Sequence, residues 1–110
     1  MDTKPEEIFE SMPRAFQPAK AGPVRLTLQF DLIGEHGGEW VVEIADGVCT
    51  SRRGDTEEPT ATIRTSSQDF ISLFIGELNA VAAYMSGRVK VAGDVTAIMN
   101  LLSFFEMPRP

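Results

Sequence analysis

The spacing of apolar residues changes period along the chain, and the changes mark its elements. Val24, Leu26, Leu28, Phe30 and Leu32 alternate with Arg25, Thr27, Gln29 and Asp31, the two-residue period of a strand with one buried face. Trp40, Val42 and Ile44 alternate in turn with Val41, Glu43 and Ala45, and Asp46-Gly47 is a two-residue hairpin signal. Such a turn pairs Ala45 with Val48 and Ile44 with Cys49. Directly paired residues share a face, so Cys49 and Ser51 join the inner set and Val48 points outward. Ala61, Ile63 and Thr65 form the inward set of a fourth strand, and Arg88 to Val91 alternates as a fifth.

Between these runs the period lengthens to that of a helix. Ile8, Phe9, Met12 and Phe16 follow Thr3-Lys4-Pro5-Glu6, a capping-box spacing with proline in the first turn. Pro13 is expected to end or kink this helix, and Pro18 to Pro23 reads as an exposed linker. Ser66 or Ser67 caps a helix carrying Phe70, Ile71, Leu73, Phe74 and Ile75, stopped by Gly76. Asn79 caps a shorter one with Val81, Ala82, Tyr84 and Met85 that ends at Gly87. Gly93-Asp94 starts the last, with Val95, Ile98, Met99, Leu101 and Leu102. The fold class is α+β: a five-stranded, mostly antiparallel sheet with helices packed on one face and solvent on the other. At 110 residues the chain is read as one domain, 1–110.

Charge and composition narrow the chemistry. Ten Lys and Arg against sixteen Asp and Glu leave a net charge of −6, which disfavours nucleic acid as a partner and anchoring on anionic lipid by charge alone. One cysteine, Cys49, excludes an internal disulfide and a cysteine-cluster zinc site; one histidine, His36, excludes multi-histidine metal motifs. No metal and no cofactor is expected. The opening residues MDTKPEEIFE have no apolar core, so no signal peptide is expected, and no stretch is long enough for stable membrane insertion. A soluble protein of a reducing compartment, the cytoplasm, is the expectation.

Local features that invite catalysis have plainer readings. His36 beside Glu35 lies in a glycine-rich loop and reads as a solvated side chain. Cys49 faces the core, where thiols are inert small hydrophobes. Gly34, Gly37 and Gly38 join two strands with no helix N-terminus after them, so the geometry that cradles phosphate is missing. Arg53-Gly54-Asp55 is a chance match to an adhesion tripeptide, and Glu57-Glu58 is a solvated face. The chain is therefore read as no enzyme. The conspicuous feature is the apolar content of the second half, from Phe70 to Met107. It reads either as a well-packed core or as a cavity lined by adaptable Met and Phe side chains. Helices too apolar for one sheet face also suit a homodimer contact.

Motif order adds a resemblance. Met12-Pro13-x-x-Phe16-x-Pro18, Phe30-Asp31-Leu32-x-Gly34, Gly38-Glu39-Trp40 and Asp46-Gly47-x-Cys49 come first. Thr62-Ile63-Arg64, Asp69-Phe70, Gly76-x-Leu78-Asn79 and Ala83-Tyr84-Met85-Ser86-Gly87 follow, and Arg88-Val89-Lys90-Val91-x-Gly93-Asp94 closes the series. In this order the chain resembles the sterol carrier protein type 2 domain family over nearly its whole length, as a stand-alone, prokaryotic-type member. The resemblance implies non-catalytic binding or transfer of a hydrophobic ligand (fatty acid, acyl-CoA, phospholipid or sterol-like lipid) in an apolar tunnel between sheet and helices. Transient membrane contact fits such a role, and the chain ends Pro108-Arg109-Pro110 without the peroxisomal tripeptide of many eukaryotic members. On this reading Leu28, Phe30, Leu32, Trp40, Val42 and Ile44 form one wall. Phe70, Leu73, Phe74, Leu78, Val81 and Met85 form the other, and Ile98, Met99, Leu102 and Phe105 complete the lining. The segment Leu101 to Met107 is expected to act as the lid. The alternative is an accessory domain with a filled core that dimerises or supports a lipid-modifying enzyme.

Overall fold

A computed structural model describes residues 4–105, with the side chain of Leu102 left out. The elements are α1 (Pro5–Ala15), α2 (Pro18–Ala21), β1 (Leu26–Ile33), β2 (Gly38–Ala45), β3 (Val48–Arg53), β4 (Ala61–Ser66), α3 (Ser67–Phe74), α4 (Ala80–Met85), β5 (Val89–Gly93) and α5 (Val95–Leu101), followed by a 3-10 turn over Leu102–Phe104. The five strands lie in the order β3-β2-β1-β4-β5. All pairings are antiparallel except β1 with β4, which is parallel. The α+β architecture read from the sequence is the one observed.

The hairpin between β2 and β3 has the expected register, with Ile44 opposite Cys49 and Ala45 opposite Val48. Its turn residues Asp46 and Gly47 take φ of 53° and 75°, the left-handed pair that a two-residue turn needs to match strand twist. Cys49 is consequently buried and Val48 exposed.

Of the end or kink expected at Pro13, helix α1 does not take the end. It runs on to Ala15. Proline has no N–H for the carbonyl four residues back, which here is that of Phe9. The Ser51 hydroxyl on β3 donates to that oxygen at 2.6 Å, so the helix continues with its freed carbonyl satisfied from the sheet. Replacing Ser51 with Ala should cost about 1–3 kcal/mol, the penalty of a buried acceptor left unmade. In a Pro13→Ala background, where an N–H again reaches Phe9, the cost should shrink; chemical denaturation of the four variants reads the difference. The start of α1 also differs from the capping box: Lys4 is the N-cap and makes no side-chain cap bond, and Thr3 lies outside the described residues. The expected linker contains α2, with Pro18 at its first position, Gly22 (φ 65°) after its end and Ala21 buried.

The second departure is on the outer sheet face, expected to meet solvent. Gln29 and Val41, opposite each other in register, are 5% and 1% exposed. The cause is strand order. β3 lies at one edge and β4 on the far side of β1, so residues 54–60 must cross the sheet, and they do so over its outer face. Thr56 N–H donates to Gln29 Oε1 at 2.9 Å, and Gln29 Nε2 donates to the Gly54 carbonyl at 3.3 Å. Thr60 then pairs its N–H with the Thr27 carbonyl at 2.7 Å.

Candidate functional site

The inner face of the sheet carries two adjoining apolar regions. Under α1, Phe9 stacks on Trp40 (centroids 4.5 Å, 11° between planes) and on Phe70 (4.7 Å, 18°), and meets Phe30 edge-on at 5.3 Å. This region is solid core, with Phe9, Leu28 and Val42 fully buried. The guanidinium of Arg53 lies 4.6 Å from the Trp40 ring centre and 3.2 Å from Glu6. The arginine of the Arg53-Gly54-Asp55 tripeptide is thus already engaged in the fold.

The second region is a pocket between the sheet and α3, α4 and α5. Its floor is Phe30, Ile63, Thr65 and Val89; its walls are Phe70, Leu73, Phe74, Ala80, Ile98, Met99 and Leu101. Each helix is set by its own cap. Ser66 Oγ accepts from Asp69 N–H at 3.0 Å, Asn79 Oδ1 from Ala82 N–H at 2.9 Å, and Asp94 Oδ1 from Ala97 N–H at 3.1 Å. On α3 the four-residue spacing then turns both Phe70 and Phe74 toward the sheet. The polar member of the lining, Thr65, donates its hydroxyl to the Arg88 carbonyl at 2.9 Å, so the described lining offers a ligand no strong polar contact. The cavity itself is small, about 30 Å³, close to the volume of a single water and an order of magnitude below an ordinary ligand site.

The expected lining residues distribute unevenly. Phe30, Phe70, Leu73, Phe74, Ile98 and Met99 meet at the pocket. Leu28, Leu32, Trp40, Val42 and Ile44 are buried in the adjoining core, away from it. Leu78 is half-buried against the core. Val81 and Met85 are exposed, because α4 turns Ala83 inward instead. Leu102 lies outside the described side chains. Phe105 packs on Phe16 (5.7 Å) and Phe74 (6.3 Å). Ile63, Thr65, Ala80, Val89 and Leu101 line the pocket without having been assigned to it. Ile63 and Thr65 were legible as inward positions; their place next to Phe30 depends on the parallel β1–β4 pairing.

The expected lid is structural up to Phe105. Leu101, Phe104 and Phe105 are buried, Phe16 pairs with Phe105, and Gln17 N–H donates to the Phe104 carbonyl at 2.8 Å. An apolar tail this rich in phenylalanine is held by the surface it buries, which outweighs its terminal position. Met107 lies outside the described residues.

Elsewhere the reactive candidates stay apart. Burial pushes the Cys49 thiol up to about 11, which keeps the unreactive protonated form dominant at neutral pH. His36 is exposed, 3.7 Å from Glu35. Among the described residues no three His, Cys, Asp or Glu side chains group as a metal site, and no helix is long and apolar enough to cross a membrane.

Residues 7–106 match the family described as SCP-2 sterol transfer. Hydroxysteroid dehydrogenase-like protein 2 of Danio rerio is 24% identical over 104 residues, 94% of this chain and 25% of its own length; the human protein of that name is 27% identical over 97 residues, 23% of its length. This chain thus spans about a quarter of those relatives. Among solved structures, the sec-alkylsulfatase Pisa1 from Pseudomonas sp. superposes with a TM-score of 0.85 at 18% identity, over 96% of this chain and 17% of that one. The solution structure of palmitated SCP2L2 from Aedes aegypti superposes with a TM-score of 0.76 at 17% identity, over 98% and 99%.

Proposed function

Because the chain belongs to the SCP-2 sterol transfer family, we propose that it binds a single-chain lipid, with a fatty acid as the representative ligand, in the pocket between the sheet and α3, α4 and α5. The observation that carries this reading is the lining: phenylalanine, aliphatic and methionine side chains around a gap, with their one hydroxyl already bonded within the fold. Such a site selects for apolar bulk and leaves a polar head at the rim. The palmitated state of the Aedes aegypti neighbour supports the same ligand class.

The gap among the described residues is about 30 Å³, so on this reading an acyl chain enters by displacing part of the helical wall. Burying about ten methylenes supplies roughly 8 kcal/mol at ~0.8 kcal/mol each. That gain must exceed both the cost of association and the cost of parting the helices. A resting state that is mostly closed lowers the apparent affinity by the fraction of molecules that are open. The domain performs no chemistry of its own in this scheme; it holds and releases.

Palmitate titrated against the purified protein by calorimetry, with native mass spectrometry for stoichiometry, tests the reading. One palmitate per chain is expected. Ile98→Trp, which fills the gap, should weaken binding by about tenfold, the loss of roughly two methylenes' worth of burial. A protein that ignores palmitate, or an Ile98→Trp variant that binds it as well as the parent, would refute the proposal.

A second reading is favoured by the same small volume together with the relatives' architecture. In both the dehydrogenase-like proteins and the alkylsulfatase, the matching region is a minor part of a chain named for an enzyme. In that role the domain supports an enzyme, fused or separate, and its interior stays filled.

A further inference from the structure

We infer that Arg88 takes the ligand's head: it exchanges Asp69 for the carboxylate of an incoming fatty acid, which tilts the pocket's selection toward ionised acids over neutral lipids. This rests on the lipid-carrier reading above and narrows it. The described lining carries no charge, so recognition of a head falls to its margin. Three cations adjoin lining residues in sequence, Arg64, Arg88 and Lys90. Arg64 alternates with Ile63 and Thr65 on β4, and Lys90 follows Val89 on β5, so both project from the opposite sheet face. Arg88 precedes β5, and its guanidinium reaches the helical layer instead. There Nη2 and Nε donate to the two carboxylate oxygens of Asp69 at 2.6 and 3.4 Å.

The pair ties wall to floor. Asp69 lies in the first turn of α3, next to the wall residue Phe70. Arg88 is next to the floor residue Val89, and its carbonyl accepts from the hydroxyl of Thr65, also in the floor. Its N–H in turn donates to the Ala83 carbonyl at 2.9 Å. The backbone of Arg88 is thus held at two points, while its half-exposed side chain is reachable from solvent. Asp69 is the covered partner, 16% exposed, against 47% or more for the acids of the other ion pairs among the described residues. The two groups are suited to part. A guanidinium binds any carboxylate with the same two-pronged geometry, so a fatty acid's head replaces what Asp69 supplied. The freed Asp69 remains at the positive end of α3, where an acid is favoured. The exchange also cuts the tie between α3 and β5, the parting that so narrow a gap requires. An alcohol or ester head cannot make the replacement and has to open the wall against the closed pair.

Decanoate and decan-1-ol, matched in length, test the exchange when titrated by calorimetry at neutral pH against the parent, Arg88→Gln, Arg88→Lys and Asp69→Asn. The readout is the ratio of the two affinities within each protein, which a change in stability alone does not move. Arg88→Gln should weaken decanoate by about tenfold, the loss of one charge-assisted contact, and leave decan-1-ol bound at least as well. Arg88→Lys, which keeps the charge without the fork, should recover part of that loss. Asp69→Asn removes the competing charge and should tighten decanoate by about threefold or more. A ratio unchanged in Arg88→Gln, or one that turns against decanoate in Asp69→Asn, overturns the inference and leaves the carrier reading standing. A parent that binds neither molecule sinks both.

Discussion

A chain ended at Leu102 is expected to lose most of its stability. Deleting Ser103 to Pro110 removes Phe104 and Phe105, which are 8% and 7% exposed, at about 1.5–3 kcal/mol each for the burial. It also removes the carbonyl that accepts from Gln17 at 2.8 Å, worth about 1 kcal/mol. Roughly 4–7 kcal/mol is comparable to the whole stability of a small domain. The uncovered faces of Phe16 and Phe74 would add to the loss, since both rings pack on Phe105. Thermal unfolding followed by circular dichroism distinguishes the outcomes. A truncated chain that melts close to the parent would return the segment to the role of a dispensable lid.

Phe9→Ala is the second large expected effect, about 3–5 kcal/mol. Phe9 is fully buried and its ring touches three others, those of Trp40, Phe30 and Phe70. Each favourable ring pair adds about 0.5–1.5 kcal/mol beyond area, so the upper half of the range is expected. The substitution also separates two properties. Phe9 does not line the pocket, but Phe70, which it stacks on, does. If the core under α1 merely supports the pocket wall, palmitate affinity measured well below the melting temperature should fall with the loosening of Phe70, and Phe9→Leu should restore most of it. Unfolding in denaturant gives the stability term, and a loss under 1.5 kcal/mol would show that the aromatic stack is not the anchor of α1.

Most elements were readable in the sequence because each was specified locally. The alternation of Leu28, Phe30 and Leu32, the Asp46-Gly47 turn, and the caps Ser66, Asn79 and Asp94 act over a few residues, and the structure has each where its chemistry places it. What was not readable depended on partners distant in the chain. Pro13 alone implies a helix end or a kink; the Ser51 hydroxyl that donates to the freed Phe9 carbonyl comes from a strand far along the chain. Gln29 alone is an outward polar residue, and burial follows only from the segment that crosses above it. The candidate site followed the same rule. Phe70, Leu73 and Phe74 were found from helical period, whereas Ile63 and Val89 needed the strand order to bring them beside Phe30. The apolarity of Val81 and Met85 suggests burial, yet both are exposed. The small residues Ala80 and Ala83 face inward from α4 instead and leave the larger ones outside.

The path of residues 54–60 across the sheet has a kinetic consequence. β1, β2 and β3 are joined by short turns and can zip as successive hairpins on a microsecond scale. β4 adds to the opposite side of β1 only after the chain has doubled back, pairing Phe30 with Ile63 across thirty-three positions. Closing that loop spends entropy before any strand contact is gained. The amide of Gln29, bonded to Gly54 and Thr56, fixes the crossing segment partway and shortens what remains to be closed. A side chain that looks like an idle surface glutamine therefore sits partway along the crossing on which the parallel half of the sheet, and with it the pocket floor, depends.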